Sequence, residues 1–205
     1  KPDVVLAYAT QMKTRPDGLE QLRKAGIQVV VVNESKNFNQ VYDSIQLIAK
    51  VTGTTDKAEQ IVHRMKATMA AVHDKTAKIP ESRQKTVWVE VSPAPDIYTT
   101  GSGTFMDQML DLINADNIAA DKKGWVKYSP EAVVNKNPDV IVITYGNYVK
   151  NPVKQVLTRS GWQNVKAVKN HKVFSLNADI VTRPGPRLAK GVEQLAHAVY
   201  PDVFK

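Results

Sequence analysis

Asn137-Pro138-Asp139-Val140-Ile141-Val142-Ile143-Thr144 repeats the opening of the chain, Lys1-Pro2-Asp3-Val4-Val5-Leu6-Ala7-Tyr8. Each copy is a Pro-Asp turn followed by a dense apolar run, the pattern of a buried strand in a parallel sheet. In each half a polar loop, a helix and a second apolar strand follow, Val29 to Val32 in one and Val173 to Leu176 in the other. A strand–helix–strand unit used twice predicts an α/β protein of two Rossmann-like lobes with parallel sheets. A cleft between such lobes is where a small ligand sits. The first copy begins at residue 1, whereas residues 84–136 precede the second match. The expectation is therefore a first lobe truncated at its N-terminal side. Its open sheet edge would invite self-association.

Working outward, Pro16-Asp17-Gly18 starts a short helix, Leu19 to Ala25, and Gly26 stops it. Ala9 to Asp17 reads as a polar loop. Asn39 to Val51 forms a helix ended at Gly53, and Thr55 caps a longer one from Asp56 to about Lys78. Ala58, Ile61, Val62, Met65, Met69 and Val72 recur there at spacings of three and four. The helix spans roughly 30 Å without Gly or Pro inside it, as a rigid connector would. The predicted organisation is 1–54 as the rest of the first lobe, 55–79 as the connecting backbone helix and 80–205 as the second lobe. In the second lobe, a strand at 86–91 leads through a Pro-rich loop to a helix from Phe105 to Ile113. Trp125 falls in a polar loop, and Ser129-Pro130 opens a short helix. A helix around Val153 to Thr158, the strand 172–176, a loop from Asn177 to Pro186 and a final helix from Arg187 to Val199 complete the lobe.

The composition narrows the function. The chain has 205 residues, 42% hydrophobic and 23% charged, as in ordinary globular proteins. Without cysteine there is no disulfide, thiolate metal site or cysteine nucleophile. No apolar run reaches the length of a membrane span. The net charge of +8 comes from scattered lysines. This argues against nucleic acid as a partner and fits either simple solubility or attraction to an anionic surface. His63, His73, His171 and His197 lack metal-ligand spacing and triad partners, so neither metal nor cofactor is expected. Gly101-Ser102-Gly103 is neither a Walker loop nor a dinucleotide fingerprint, and reads as a tight turn capped by Thr104.

Candidate ligand contacts lie at strand ends and loops. Tyr8 closes a strand, and ligands of parallel sheets sit at the carboxyl ends. Trp125 is either packed beneath its loop or presented to a ligand. Asp179 and Arg183, four residues apart, are either a pair of ligand contacts or a solvated ion pair. Tyr145 and Tyr148 follow the second repeat strand. Trp88 and Trp162 read as packing residues, and Arg187 as the opening of the last helix.

The two Pro-Asp strands, the long helix, Thr100-Gly101-Ser102-Gly103-Thr104-Phe105, Ser129-Pro130-Glu131-Ala132-Val133-Val134 and Arg183-Pro184-Gly185-Pro186-Arg187 occur in one order along the chain. Together they resemble the helical-backbone (class III) solute-binding proteins of ABC importers, which carry cobalamin, ferric siderophores or haem. The closest likeness is to the cobalamin branch. The resemblance implies capture rather than catalysis, with Tyr8 and Trp125 as aromatic walls of the cleft. It implies docking of Glu131 on the membrane permease. It also implies an extracytoplasmic location, periplasmic or anchored as a lipoprotein. A ferric-siderophore or haem carrier is the runner-up. An anionic ferric complex would want several arginines, and only Arg183 and Arg15 are candidates. A two-lobed nucleotide-sugar-type enzyme would need a nucleotide loop or a placed base, and neither is found. An orphan adhesin or sensor domain is the third alternative.

Overall fold

The computed structural model describes residues 2–204, so Lys1, the first residue of the repeat, and Lys205 lie outside it. The chain divides into two compact units, residues 1–63 and 64–205.

In the first unit β1 (Val4–Tyr8) runs into α1 (Ala9–Thr14), then α2 (Pro16–Lys24), β2 (Gln28–Val32) and α3 (Phe38–Thr52). β1 and β2 pair in parallel, with Val4 opposite Gln28 and Tyr8 opposite Val32. Asn37 caps α3 by accepting from the Gln40 N–H, and Gly53, at φ 69°, closes it in the left-handed conformation. Two expectations are corrected. The stretch predicted to be a polar loop begins with a helix, because the Gln11 side chain folds back to accept from the Tyr8 N–H at 2.9 Å. α1 buries no side chain, so it carries no apolar period that a sequence reading could detect. The first repeat strand is also not a buried strand. Only Ala7 is buried in β1, while Leu6 and Tyr8 are exposed.

The 22-residue α4 (Thr55–Thr76) runs from the first unit into the second. Its apolar stripe is buried at Ala58, Val62, Met65, Met69 and Val72. At its end Thr76 Oγ1 donates to the Leu112 carbonyl, and Asn114 Nδ2 donates to the carbonyls of Thr76 and Ile79. These bonds satisfy carbonyls that a helix terminus leaves without partners.

The second unit comprises β3 (Thr86–Glu90), β4 (Tyr98–Thr100), α5 (Phe105–Leu112), β5 (Asp116–Asn117), β6 (Trp125–Lys127), α6 (Pro130–Lys136), β7 (Val140–Ile143), α7 (Pro152–Leu157), α8 (Lys166–Lys169), β8 (Val173–Ser175), α9 (Ala178–Val181) and α10 (Leu188–Val199). Its main sheet has the order β5-β3-β7-β8, all parallel. β7, the second repeat strand, is buried at every position, as its Val-Ile-Val-Ile run predicts. The Pro-Asp turn before it is anchored sideways. Thr86 donates from both its N–H and Oγ1 to Asp139 Oδ2, at 3.1 and 3.0 Å. Trp88, Ile141, Ile143, Val156 and Trp162 form the core beside the sheet, which agrees with reading the two tryptophans as packing.

Five short elements fall in stretches where no helix or strand was predicted: β4, β5, β6, α8 and α9. Each has at most four residues, too few for a hydrophobic period.

Candidate ligand-binding site

Parallel strands bring all their carboxyl ends to one edge, so the second unit gathers three loop systems there. After β3 the chain returns as β4, which pairs antiparallel with β6. Tyr98 lies opposite Lys127, Thr99 opposite Val126 and Thr100 opposite Trp125. Alternate residues share a face, so Tyr98, Thr100, Trp125 and Lys127 point the same way. The other face sits on the core. Thr99 is fully buried and donates from Oγ1 to the Val89 carbonyl at 2.7 Å, and Val126 packs against the core cluster.

The result is an aromatic ribbon. Tyr98 is 42% and Trp125 49% exposed, and they are diagonal neighbours on one surface. Lys127 Nζ and Asp96 Oδ1 form an ion pair beside them, which holds the ammonium above its ordinary pKa. The glycine turn after β4 ties the ribbon down. The Gly101 N–H donates to the Gly124 carbonyl, and a Cβ at Gly101 would stand 2.2 Å from the Lys122 carbonyl oxygen. Only glycine permits that approach. The same turn leads into α5, where Thr104 Oγ1 caps by accepting from the Asp107 N–H.

After β8 comes α9. Asn177 caps it through the Asp179 N–H, and Arg183 Nε donates to Asp179 Oδ1 at 2.6 Å. Both side chains stay well exposed, at 73% for Arg183 and 43% for Asp179. α9 lies against α10 at Gly191, where a Cβ would meet the Ile180 carbonyl oxygen at 2.5 Å.

The third loop follows β7. Tyr145, expected to be a ligand contact, is only 1% exposed. Its hydroxyl donates to Glu90 Oε1 at 2.5 Å. Glu90 has no exposure and also accepts from Trp88 Nε1 and from both terminal nitrogens of Arg159, at 2.8 and 2.7 Å. The Arg159 guanidinium lies 4.2 Å from the Trp162 ring. Burial, and then the Glu90 charge, push the Tyr145 phenol far above its ordinary pKa. Burial alone would lower Arg159, but its bonds to Glu90 outweigh this and raise it. Tyr145 therefore belongs to a closed core network, while Tyr148, at 70% exposed, is the tyrosine this loop presents.

Trp125 thus stands on the β4–β6 ribbon that follows the carboxyl end of β3, and Asp179 and Arg183 follow the carboxyl end of β8. Tyr8 ends β1 in the first unit and is 54% exposed. Glu131 is an exposed residue in the first turn of α6, behind the Ser129 cap, four residues after β6 ends. Tyr98 was missed by the sequence reading. The signal was Tyr98-Thr99-Thr100, a strand-forming triplet between the Pro-rich loop and the Gly101 turn.

The periplasmic binding protein family profile matches residues 1–180, and the chain belongs to that family. It is 48% identical over all 205 residues to an uncharacterized ABC transporter substrate-binding lipoprotein of Bacillus subtilis, covering 64% of that protein. It is 26% identical over 196 residues (95% of this chain) to a vitamin B12-binding protein of Pectobacterium carotovorum, covering 66% of it. Other relatives are named for molybdate and Fe(3+)-citrate binding. Among solved structures, a possible iron-binding periplasmic solute-binding protein of Staphylococcus epidermidis superposes with a TM-score of 0.85 at 31% identity. The match covers 97% of this chain and 76% of that one. The fold is the two-lobed α/β fold of these proteins. The chain spans between 52% and 66% of the length of these curated relatives.

Proposed function

We infer that this chain is part of the substrate-binding component of an ABC importer, acting outside the cytoplasm as a periplasmic or lipid-anchored protein. It captures a corrinoid and delivers it to the transmembrane permease. The observation that carries this reading is the exposed pair Tyr98 and Trp125 on one face of the β4–β6 ribbon, with the Asp179–Arg183 pair in the loop after β8. Two half-exposed rings on a rigid ribbon suit the flat apolar body of a macrocycle. Arg183 is already neutralised by Asp179, so the pair offers donors and acceptors without net charge. That favours a neutral, amide-rimmed ligand over an anionic ferric complex. The relative named for vitamin B12 agrees with this choice. Tyr8, exposed at the end of β1 in the first unit, is proposed as another aromatic ligand contact.

The second reading, a ferric-siderophore or haem carrier, draws on Tyr148, whose exposed phenol could serve either ligand. In both readings Glu131 docks on the permease and takes no part in capture. The test is twofold. Protein purified from cells given cobalamin, haem or ferric siderophore should carry the corrinoid absorbance. Glu131→Ala should keep the ligand affinity and lose permease-coupled uptake. A haem or siderophore spectrum would select the second reading, and no chromophore from any of the three would end both.

A further inference from the structure

We propose that the second unit carries a second, anion-selective site at the opposite edge of its main sheet, built to hold a phosphate group. The amino ends of β3, β7 and β8 frame a cavity of about 270 Å³, whose lining includes Arg83, Lys85, Asp139, Asn170, Lys172 and Asp202. Arg83, Lys85 and Lys172 form no ion pair among the described residues. Two acids also line the cavity, Asp139 and Asp202, and neither is free. Asp139 accepts twice from Thr86 and lies 3.5 Å from Lys166 Nζ. The site is also held in shape. The Lys85 N–H donates to the Tyr200 hydroxyl, which itself donates to the Asn114 carbonyl at 2.6 Å. Most of the net charge of +8 lies in residues 64–205, so the field around this edge favours an anion. A guanidinium with two ammonium groups and an amide matches the acceptor geometry of a phosphate better than that of a halide. The site is independent of the ligand proposed for the other edge. Free phosphate and the phosphodiester headgroup of an anionic lipid present the same chemistry.

The test is a titration of the ¹⁵N-labelled chain with inorganic phosphate at constant ionic strength. Saturable amide shifts are expected at Lys85, Asn170 and Lys172. The double variant Arg83→Gln/Lys172→Gln should weaken binding at least fivefold, while Lys154→Gln/Lys190→Gln, which removes the same charge elsewhere, should leave it within twofold. Sedimentation with phosphatidylglycerol or phosphatidylcholine vesicles separates the sources. Phosphate-competed binding to the anionic vesicles alone, abolished in the first double variant, assigns the site to a lipid surface. Saturable phosphate binding without vesicle binding assigns it to a soluble anion. Shifts that never saturate, or that fall equally in both double variants, would overturn the proposal.

Discussion

At the scale of single residues the second unit separates two kinds of aromatic group. Trp88 and Trp162 are sealed in the core, while Trp125 stands half-exposed on a strand whose partner presents Tyr98. Periodicity distinguishes them only in part. Trp88 sits in an apolar strand and was legible as packing, but Trp125 has no periodic neighbours and leaves both readings open. Trp125→Ala or Tyr98→Ala should weaken corrinoid binding by about 1–3 kcal/mol in calorimetry, with the melting temperature nearly unchanged, since neither ring is buried in the apo protein. The Glu90 network is the opposite case. Arg159→Met leaves a fully buried carboxylate with its main counter-charge gone and should cost about 3–5 kcal/mol in denaturant unfolding. Adding Glu90→Gln to that variant should recover part of the loss. If Arg159→Met unfolds like the wild type, the network carries no stability. The sequence concealed this cluster because its members are far apart in the chain, and because Tyr145 at a strand end looks the same whether it faces out or in.

At the scale of elements, the long periodic segments were legible and the short ones were not. α3, α4 and α10 declare themselves by apolar spacing and by stops such as Gly53. β5, β6 and α9 are fixed by partners distant in sequence, and nothing local announces them. The repeated Pro-Asp strand was legible as a strand in both halves, but its burial was not, because burial depends on what covers each face. The Pro-Asp turn before β7 has its own pH signature. Burial raises Asp139, but the two bonds from Thr86 and the charges of Lys166 and Lys85 outweigh this and leave it below the ordinary aspartate value of 3.8. Its stabilising contribution is therefore complete above that value and is lost as pH falls through the lowered one. Asp139→Asn should cost about 1–2 kcal/mol at neutral pH. It should also flatten the decline of stability below about pH 4, measured by urea unfolding across pH. An unchanged acid limb would exclude Asp139 as its source.

At the scale of the molecule, the two units differ in how much they bury. The first holds a two-stranded sheet with one buried residue in β1, and the second a four-stranded sheet around a continuous core. A two-stranded sheet is marginal by itself. Amides of β1 and β2 should therefore exchange with solvent at least tenfold faster than those of β3 and β7, and equal protection in both sheets would contradict this. Capture of a corrinoid at the aromatic ribbon is the central claim, and calorimetric titration of the protein expressed from its natural gene tests it most directly. The account predicts saturable, one-to-one binding of cobalamin that weakens by more than tenfold in the Tyr98→Ala/Trp125→Ala double variant. Cobalamin binding unchanged in that variant, or no cobalamin binding by the folded wild type, would contradict it.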